Sequence, residues 1–313
     1  MPLVSVVMPS YNHEKFVSET IESVLGQDFD DLELIIVDDA STDASRQIIQ
    51  KYAAEDARVR VILHETNCGI SKTMNDGIEI AQGKFLAWTA SDDVWKKDKL
   101  SKQLAVLESN EDLIVWTDGE LIDEGGQRIQ RMGPTFSAWS GAEKKSGDIF
   151  RALSARNYIC PPTPLFKREN MGSIRYDERL KYSNDWKVLL DLAKKYEFHF
   201  IPEPLAQYRI HANNTLAHAG PRNEAHRVES REIITIIEGT LSEWPHRNSA
   251  EAKANALVTL GLNYYNLGQN RKALMSYFRA FTSAPFRRSN LQYPRRFFRF
   301  TRSMLRRRIL ERK

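Results

Sequence analysis

The stretch LELIIVDD, residues 32–39, is an apolar run that ends in a pair of aspartates. The stretch KFLAWTASDD, residues 84–93, has the same form. Short apolar runs are typical of buried parallel strands, and open α/β sheets bind ligands beyond the C-terminal ends of such strands. Four carboxylates at neighbouring strand ends repel one another unless a cation or hydrogen-bond donors lie among them. The two stretches therefore predict a parallel sheet whose edge binds either a divalent cation with a phosphorylated ligand or a nucleotide.

Strand-like and helix-like segments alternate from residue 3 to residue 118. The strand-like segments are short apolar runs, and between them the apolar residues recur at helical spacing. These runs lie at residues 4–8, 32–37, 59–63, 84–90 and 113–116. Repeated β-α-β units predict a doubly wound α/β fold with a mainly parallel sheet flanked by helices.

This alternation ends after Asp118. Residues 119–147 are rich in Gly, Ser and charged residues, which predicts a hairpin and a loop. Residues 198–210 contain Pro202 and Pro204 and predict two short edge strands, because proline cannot donate to a central ladder. From about residue 222 onwards the pattern is helical throughout, so a helical C-terminal region is expected.

The bulk composition is that of an ordinary soluble protein, with 42% hydrophobic and 27% charged residues among 313. No apolar run approaches the ~18 residues of a spanning helix, and no basic segment with a cleavage site opens the chain. The two cysteines, Cys68 and Cys160, lack metal-ligand spacing. Two distant thiols suit a reducing compartment, so a cytoplasmic location is expected.

Charge is distributed unevenly along the chain. Residues 287–313 carry eleven basic residues against one acidic residue, whereas the preceding 286 residues carry 34 basic against 40 acidic. On a helical wheel this tail places Phe297 and Phe300 opposite Arg295 and Arg299, the pattern of a basic amphipathic helix. Such a helix predicts peripheral binding to an anionic membrane surface, here the inner membrane face. The alternatives are a solvated tail without a partner and nucleic-acid binding, although the net acidic body argues against a nucleic-acid factor.

Residues 260–285 match the spacing of one tetratricopeptide unit. Small residues at Gly261, Ala273 and Ala280 permit two antiparallel helices to pack closely. One unit cannot stack into a solenoid, so a hairpin packed on the preceding domain and a docking module both remain open. The resulting division is a first domain at 1–216, a helical region at 217–286 and the basic tail at 287–313.

Six motifs occur in a fixed order in the first domain. They are PSYN at 9–12, VDDASTD at 37–43, NCG at 67–69 with NDG at 75–77, SDD at 91–93, NDW at 184–186 and YRIH at 208–211. Over residues 3–216 this order closely resembles family 2 glycosyltransferases. The resemblance implies a Rossmann-like GT-A fold. It also implies inverting transfer of a sugar from a nucleotide-diphosphate donor to a hydroxyl acceptor, in the synthesis of cell-surface polysaccharide or glycolipid.

The resemblance also implies a donor site, whose nucleotide-binding residues are Pro9, Tyr11, Asp39, Asn67, Lys72 and Asp92. Asp39 accepts a nucleobase N–H and Tyr11 stacks on the base, as a carboxylate and an aromatic face can. Asp92 faces the ribose. Asp93 and His211 ligate Mg²⁺ or Mn²⁺, which bridges the diphosphate. The expected donor is a UDP-sugar and the expected acceptor is a saccharide or a lipid-linked molecule.

Asp185 is the expected general base. An inverting displacement needs a carboxylate on the acceptor side to take the hydroxyl proton. Asp185 matches the family position at a helix start, although a purely structural helix cap is the alternative. Asp177, Glu178 and Asp191 are nearby competitors.

Three positions depart from the family pattern. Met74 replaces the usual Arg before the Asn at position 75, Ala90 replaces a frequent acid, and Asn184 replaces the Glu before the base. These departures leave donor identity open. The rival from another class is an inactive GT-A-like adaptor that uses its helical C-terminal region, and it requires a broken metal motif or a missing base. Arg209 or Lys72 is a candidate to neutralise phosphate.

Overall fold

A computed structural model describes residues 1–129, 146–212, 223–244 and 250–283. The chain divides into two compact units, one of residues 1–149 with 158–218 and the other of residues 150–157 with 219–313. The basic tail at 287–313 and most of the predicted loop before residue 147 lie outside the described residues.

The first unit is built on one eight-stranded sheet. Its strands are β1 (Val4–Ser10), β2 (Leu32–Asp38), β3 (Val59–Leu63), β4 (Phe85–Trp88), β5 (Val94–Trp95), β6 (Ile114–Ile122), β7 (Leu165–Lys167) and β8 (Phe198–Arg209). The spatial order is β3-β2-β1-β4-β7-β6-β8-β5. The strands β1 to β4 are mutually parallel, and β6 is parallel to β8. Antiparallel pairing is confined to β7 and β5, so the predicted mainly parallel sheet is confirmed.

Helices follow the strands in the order that the sequence pattern predicts. They are α1 (Val17–Leu25), α2 (Ser45–Glu55), α3 (Ile70–Ile80), α4 (Lys99–Ser109), α5 (Phe150–Leu153), α6 (Asn184–Ala193), α7 (Glu224–Ser242), α8 (Ala250–Asn266) and α9 (Asn270–Ser283), with a short 3₁₀ helix at Arg168–Met171. The last three confirm the helical C-terminal region. Within the described ranges, none of these helices has both the length and the apolar character needed to cross a membrane.

Close approach of α3 to the sheet depends on Gly77. A Cβ atom at this position would lie 2.5 Å from Cγ1 of Val7 in β1 and 3.2 Å from Cγ2 of Val37 in β2. Both valines are completely buried. Because glycine leaves this space open, α3 packs directly on two central strands and carries its own residues towards the sheet edge.

The prediction of two short edge strands at residues 198–210 is wrong. The segment forms the single strand β8, which lies between β6 and β5. Thr117 pairs with Ile201 and Asp118 pairs with Pro204, so Pro202 and Glu203 have no partner in β6. This bulge absorbs the residues around Pro202 without ending the strand, because the pairing with β6 resumes beyond the extra residues of β8. It also places the YRIH segment at the end of a long, continuous strand.

Within the second unit, α8 and α9 form the predicted helical hairpin. Gly261 faces the ring of Tyr277, and a Cβ atom there would approach the ring to 3.0 Å. Ala273 and Ala280 are completely buried in the same unit. The small residues of the tetratricopeptide-like pattern therefore do permit close packing of two helices.

Candidate functional site

Two loops interlock beyond the C-terminal ends of β1 and β2. The amide of Asn12 donates to Oγ of Ser41 at 3.0 Å, and the amide of Thr42 donates to Oδ1 of Asn12 at 2.8 Å. Asn12 and Ala40 have positive φ angles of 54° and 62°, a conformation that the surrounding bonds must hold in place. The interlocked loops leave the ring of Tyr11 45% exposed, and therefore available to a ligand.

The two aspartates after β2 have different surroundings. Asp38 is completely buried, and its Oδ1 accepts from Nε of Arg46 and from the amide of Ser41, both at 3.1 Å. Asp39 faces the next loop, where Oδ1 accepts from the amide of Cys68 at 2.7 Å and Oδ2 from the amide of Gly69 at 2.8 Å. Each carboxylate oxygen has two acceptor sites, so Oδ2 retains capacity for one further donor.

Asp39 is also bonded to His64, a residue that the sequence reasoning missed. Nδ1 of His64 lies 2.8 Å from Oδ1 of Asp39, and Nε2 lies 3.0 Å from Oδ2 of Asp76. Asp76 in turn pairs with Nζ of Lys72 one helical turn away. This hydrogen bond raises the pKa of Lys72. A signal was present, because His64 directly follows β3 and so sits at the same sheet edge as the aspartate pairs.

Two further residues predicted to bind the nucleotide, Pro9 and Asn67, also lie at this edge of the sheet. Pro9 belongs to β1 and pairs with Val37. Asn67 donates from Nδ2 to the backbone carbonyl of Asp39 at 3.3 Å. Asn75 donates to the carbonyl of Tyr176 at 3.0 Å and accepts from its amide at 2.9 Å, so the motif that contains it fixes a neighbouring loop.

Beyond β4, Asp92 lies beside two histidines. Its Oδ2 is 2.9 Å from Nε2 of His211 and 4.0 Å from Nε2 of His13. One ligand atom from each of the three residues lies within 4.8 Å of the other two. Nδ1 of His13 lies 2.8 Å from Oγ of Ser91, which leaves Nε2 facing the carboxylate. Burial lowers the pKa of His13 and so favours the neutral imidazole, the form that binds metals.

Asp93 points the other way, into the protein. Its Oδ1 accepts from the amide of Arg209 at 3.0 Å, and its buried Oδ2 has no hydrogen-bond partner among the described residues. Burial, reinforced by the neighbouring charge of Asp92, raises the pKa of Asp93 well above its usual range. The structure therefore brings His211 together with Asp92, whereas the sequence pattern paired it with Asp93.

Arg209 is buried beneath the aspartate pair. Its Nε donates to the carbonyl of Asp92 at 2.8 Å, and Nη1 donates to the carbonyls of Asp123 and Glu124, both at 3.2 Å. Nη2 lies 2.5 Å from Oε2 of Glu19 in α1. With 1% of its side chain exposed, Arg209 positions the backbone of the site and does not reach a phosphate in the solvent.

Asp185 lies in the first turn of α6. Its Oδ1 accepts from the amide of Trp186 at 2.6 Å, and its own amide donates to Oδ1 of Asn184 at 2.7 Å. Burial raises the pKa of the Tyr208 phenol, and the charges of Asp93, Asp92 and Asp185 raise it further. Asp185 therefore lies near enough to Tyr208 to influence the pKa of the same phenol as the aspartate pair after β4.

Two of the three competing carboxylates near Asp185 have basic partners. Asp177 pairs with Arg179 at 2.7 Å, and Asp191 lies 3.0 Å from Nζ of Lys194. The Arg179 partner lowers the pKa of Asp177. Asp177 and Asp191 are therefore already engaged with basic residues of the protein.

The donor set at Asp92 suits a divalent cation. A carboxylate and imidazole nitrogens together fit Mn²⁺ better than Mg²⁺, because Mg²⁺ is bound almost entirely by oxygen. His211, His13 and the buried carboxylate of Asp92 therefore form a group that could hold a divalent cation.

The family model described as glycosyl transferase family 2 matches residues 5–216. The relative TuaG of Bacillus subtilis, described as a putative teichuronic acid biosynthesis glycosyltransferase, is 35% identical over 219 residues, covering 69% of this chain and 82% of TuaG. The amylovoran biosynthesis glycosyltransferase AmsB of Erwinia amylovora is 28% identical over 215 residues, covering 66% of this chain and 69% of AmsB.

Solved structures share the architecture. Staphylococcus aureus TarS 1–349 in complex with UDP-GlcNAc matches with a TM-score of 0.64 and 19% identity, covering 91% of this chain and 82% of that one. The mannosyltransferase PcManGT from Pyrobaculum calidifontis, in complex with GDP-Man and Mn²⁺, matches with a TM-score of 0.61 and 15% identity, covering 96% and 84%. These matches confirm the predicted GT-A-type α/β fold.

Proposed function

Because the chain belongs to glycosyl transferase family 2, we propose that it transfers a sugar from a nucleotide diphosphate to a hydroxyl acceptor, with inversion. The observation that carries this proposal is that Asp39 and Asp92 lie beyond the C-terminal ends of β2 and β4 in one parallel sheet, while Asp92 and Asp185 both interact electrostatically with Tyr208. Asp39, Asp92 and Asp185 come from three separate segments, and each stands in a different chemical setting. That division suits a reaction that must bind a base, a charged diphosphate and an acceptor hydroxyl.

The donor is proposed to be a UDP-sugar. TarS binds UDP-GlcNAc and UDP, and PcManGT binds GDP-Man, in structures that share this fold. Tyr11 offers an exposed ring for base stacking, and Oδ2 of Asp39 retains an acceptor site for a base N–H. The names of TuaG and AmsB support a role in the synthesis of a cell-surface polysaccharide, with a saccharide or lipid-linked acceptor.

Asp92 and His211, with His13 beside them, are proposed to bind Mn²⁺. When bound, this ion neutralises the diphosphate and stabilises the charge that develops on the departing nucleotide. The assignment exchanges the roles that the sequence pattern suggested for the two aspartates. Asp93 is instead proposed to hold the turn in place through its bond to the amide of Arg209.

Asp185 is proposed to be the general base. The amide of Trp186 fixes the orientation of the carboxylate, which is proposed to accept the proton of the acceptor hydroxyl. Asn184 takes the place of the usual acidic neighbour and bonds to the amide of Asp185. Asp185 is therefore oriented by the Trp186 amide and the Asn184 side chain. The residue before it in the chain is not a second carboxylate.

The C-terminal part is proposed to rest on the anionic inner face of the membrane. The tail at 287–313 lies outside the described residues, but α9 provides support. Its exposed apolar residues Met275, Phe278 and Phe281 are 58%, 62% and 45% exposed. The same helix carries three basic residues and no acidic ones. Exposed apolar and basic side chains on one helix are typical of binding to anionic lipid.

A panel of nucleotide sugars tests the central proposal. Thermal stability of the full chain is measured with each nucleotide sugar, in Mn²⁺, in Mg²⁺ and with a chelator. A UDP-sugar with Mn²⁺ should raise the melting temperature, and release of UDP should follow when an acceptor is added. Failure of every nucleotide diphosphate to stabilise the chain would overturn the proposal, and binding without any turnover would favour the adaptor.

A further inference from the structure

The cluster of Asp39, His64 and Cys68 contains three different metal-binding groups at the edge of the sheet. One ligand atom from each lies within 4.8 Å of the other two. We propose that this cluster is a binding site for a thiophilic divalent cation, of which Zn²⁺ is the representative. The site is distinct from the Asp92 cluster, because the two share no residue.

The oxygen ligand from Asp39 and the nitrogen ligand from His64 are already in place. Nδ1 of His64 and Oδ1 of Asp39 are 2.8 Å apart, a hydrogen-bond distance that a bridging cation widens only slightly. Asp39 is itself held by the amides of Cys68 and Gly69. Little rearrangement is therefore needed for the carboxylate and the imidazole to bind one ion.

The surroundings of His64 match those of a metal ligand. Metal-bound histidines usually donate their second ring N–H to a carboxylate, which fixes the tautomer and orients the ring. Nε2 of His64 lies 3.0 Å from Oδ2 of Asp76 and so has this partner. The arrangement leaves Nδ1 as the atom that faces Asp39 and the proposed ion.

Cys68 decides which cation the site prefers. Its thiol is exposed, and a metal ion binds such a thiol as the thiolate with release of its proton. A thiolate beside an imidazole and a carboxylate selects zinc-like ions, whereas Mg²⁺ and Mn²⁺ bind thiolate weakly. A fourth position remains for water, as tetrahedral zinc requires.

The consequence for activity rests on the proposed function. A cation bound through Oδ1 of Asp39 withdraws negative charge from the carboxylate whose Oδ2 is proposed to accept the nucleobase N–H. Zinc and nucleotide then oppose each other at Asp39. We infer that free zinc lowers donor affinity without touching the manganese ligands.

Cobalt spectroscopy on the full-length chain tests the site itself. Co²⁺ is titrated into metal-free protein, and the thiolate-to-cobalt charge-transfer absorption is recorded. The band should appear at one equivalent in wild type and in Cys160→Ser, whose altered thiol is buried, and should be absent in Cys68→Ser. Asp76→Asn should weaken cobalt binding by about 10–100-fold, the usual effect of losing a carboxylate behind a histidine ligand. A band that survives in Cys68→Ser, or is absent in wild type, overturns the proposal.

Calorimetry of UDP binding tests the competition. With free Zn²⁺ at about ten times its own Kd, the Kd for UDP should rise about tenfold in wild type and stay unchanged in Cys68→Ser. Chelation of zinc by the diphosphate affects both variants equally, so their difference isolates the site. An equal effect in both variants overturns the competition. No UDP binding by either variant in the absence of zinc counts against the proposed function, while the cobalt result stands by itself.

Discussion

Nε2 of His211 lies 2.9 Å from Oδ2 of Asp92, although 119 positions separate the two residues in the chain. The contact arises because β8 runs beside β6 and ends next to the turn that follows β4. Arg209 secures it by donating from Nε to the carbonyl of Asp92. A long strand thus brings the two proposed metal ligands together. The hydrogen bond from the buried arginine to the backbone of Asp92 holds them in place.

The first prediction distinguishes Asp92 from Asp93. Asp92→Asn removes the charge that faces His211, so Mn²⁺ affinity should fall by at least about 100-fold, more than the loss of an indirect partner costs. Titration of Mn²⁺ followed by electron paramagnetic resonance measures the free ion directly. Asp93→Asn is the matched control and should retain Mn²⁺ binding, because its carboxylate faces Arg209. The reverse ranking of the two variants would restore Asp93 as the ligand.

The second prediction concerns the base. Asp185→Asn keeps the shape of the side chain and its bond from the Trp186 amide but cannot take a proton. We expect kcat to fall by about 10²–10⁴-fold, the usual worth of a general base, with UDP affinity unchanged. Asp191→Asn, on the same helix but paired with Lys194, should retain activity. Wild-type turnover in Asp185→Asn would place the base elsewhere.

The third prediction concerns Lys99, which is completely buried. Its Nζ lies 2.8 Å from Oε1 of Gln103 and 3.7 Å from the ring centroid of Trp95, and no carboxylate in the described ranges pairs with it. Burial lowers the pKa of Lys99 well below its usual value. The unfolded chain therefore binds a proton that the folded chain does not, between the lowered pKa and the ordinary value near 10.5.

Within that interval the stability of wild type should rise with pH relative to Lys99→Met. The expected slope is about 1.4 kcal/mol per pH unit, because one proton is released on folding. Urea unfolding of both proteins at several pH values from about pH 7 to about pH 9 measures the difference. A difference that does not change with pH would show that Lys99 folds in its charged form.

The fourth prediction concerns the packing of α3. Gly77→Ala places a methyl group 2.5 Å from Cγ1 of Val7, so stability should fall by about 1–3 kcal/mol through overpacking. Val7→Ala should be destabilising alone because it opens a cavity. The double variant should recover part of the loss, since the alanine methyl fills space that the valine vacates. Additive losses in denaturant unfolding would contradict the close contact.

The boundaries of a strand were predictable where both faces of the strand are apolar. The strands β1 and β2 are buried along nearly their whole length, so the continuous runs at 4–8 and 32–37 mark them directly. In β3 only Val59 is buried, but the run at 59–63 is still mostly apolar. The strand β8 was mispredicted because Pro202 signals a break. The bulge opposite Thr117 allows the strand to continue, and it depends on a partner strand more than 80 positions away.

The site was predictable as a place but not in its detail. Two aspartates at a strand end indicate a ligand edge, yet neighbouring residues in a turn can point to opposite sides. The orientation of Asp92 and Asp93 depends on which of them meets the amide of Arg209, and that contact has no local signal. The charged side chain of Arg209 also suggested a phosphate partner, because sequence does not report burial.

His13 and His64 are not predictable as site residues from their residue type, for the same reason. A single histidine carries little information alone, because sequence does not report which groups surround it. Both lie just beyond the ends of parallel strands, His13 three residues after β1 and His64 directly after β3. Ligands bind beyond the C-terminal ends of parallel strands, and applying this rule to histidines as well as to aspartates identifies both residues.

The guanidinium of Arg209 joins α1, the turn after β4 and the turn after β6 through one side chain. Segments that share such a junction cannot be exchanged independently between relatives. A chimera that replaces residues 119–129 alone would present new carbonyls to an unchanged arginine, and the misfit would reach Asp92 through the same group. Grafting of acceptor specificity onto this scaffold is therefore expected to succeed only when Glu19, Arg209 and the turn at Asp123 are transplanted as one set.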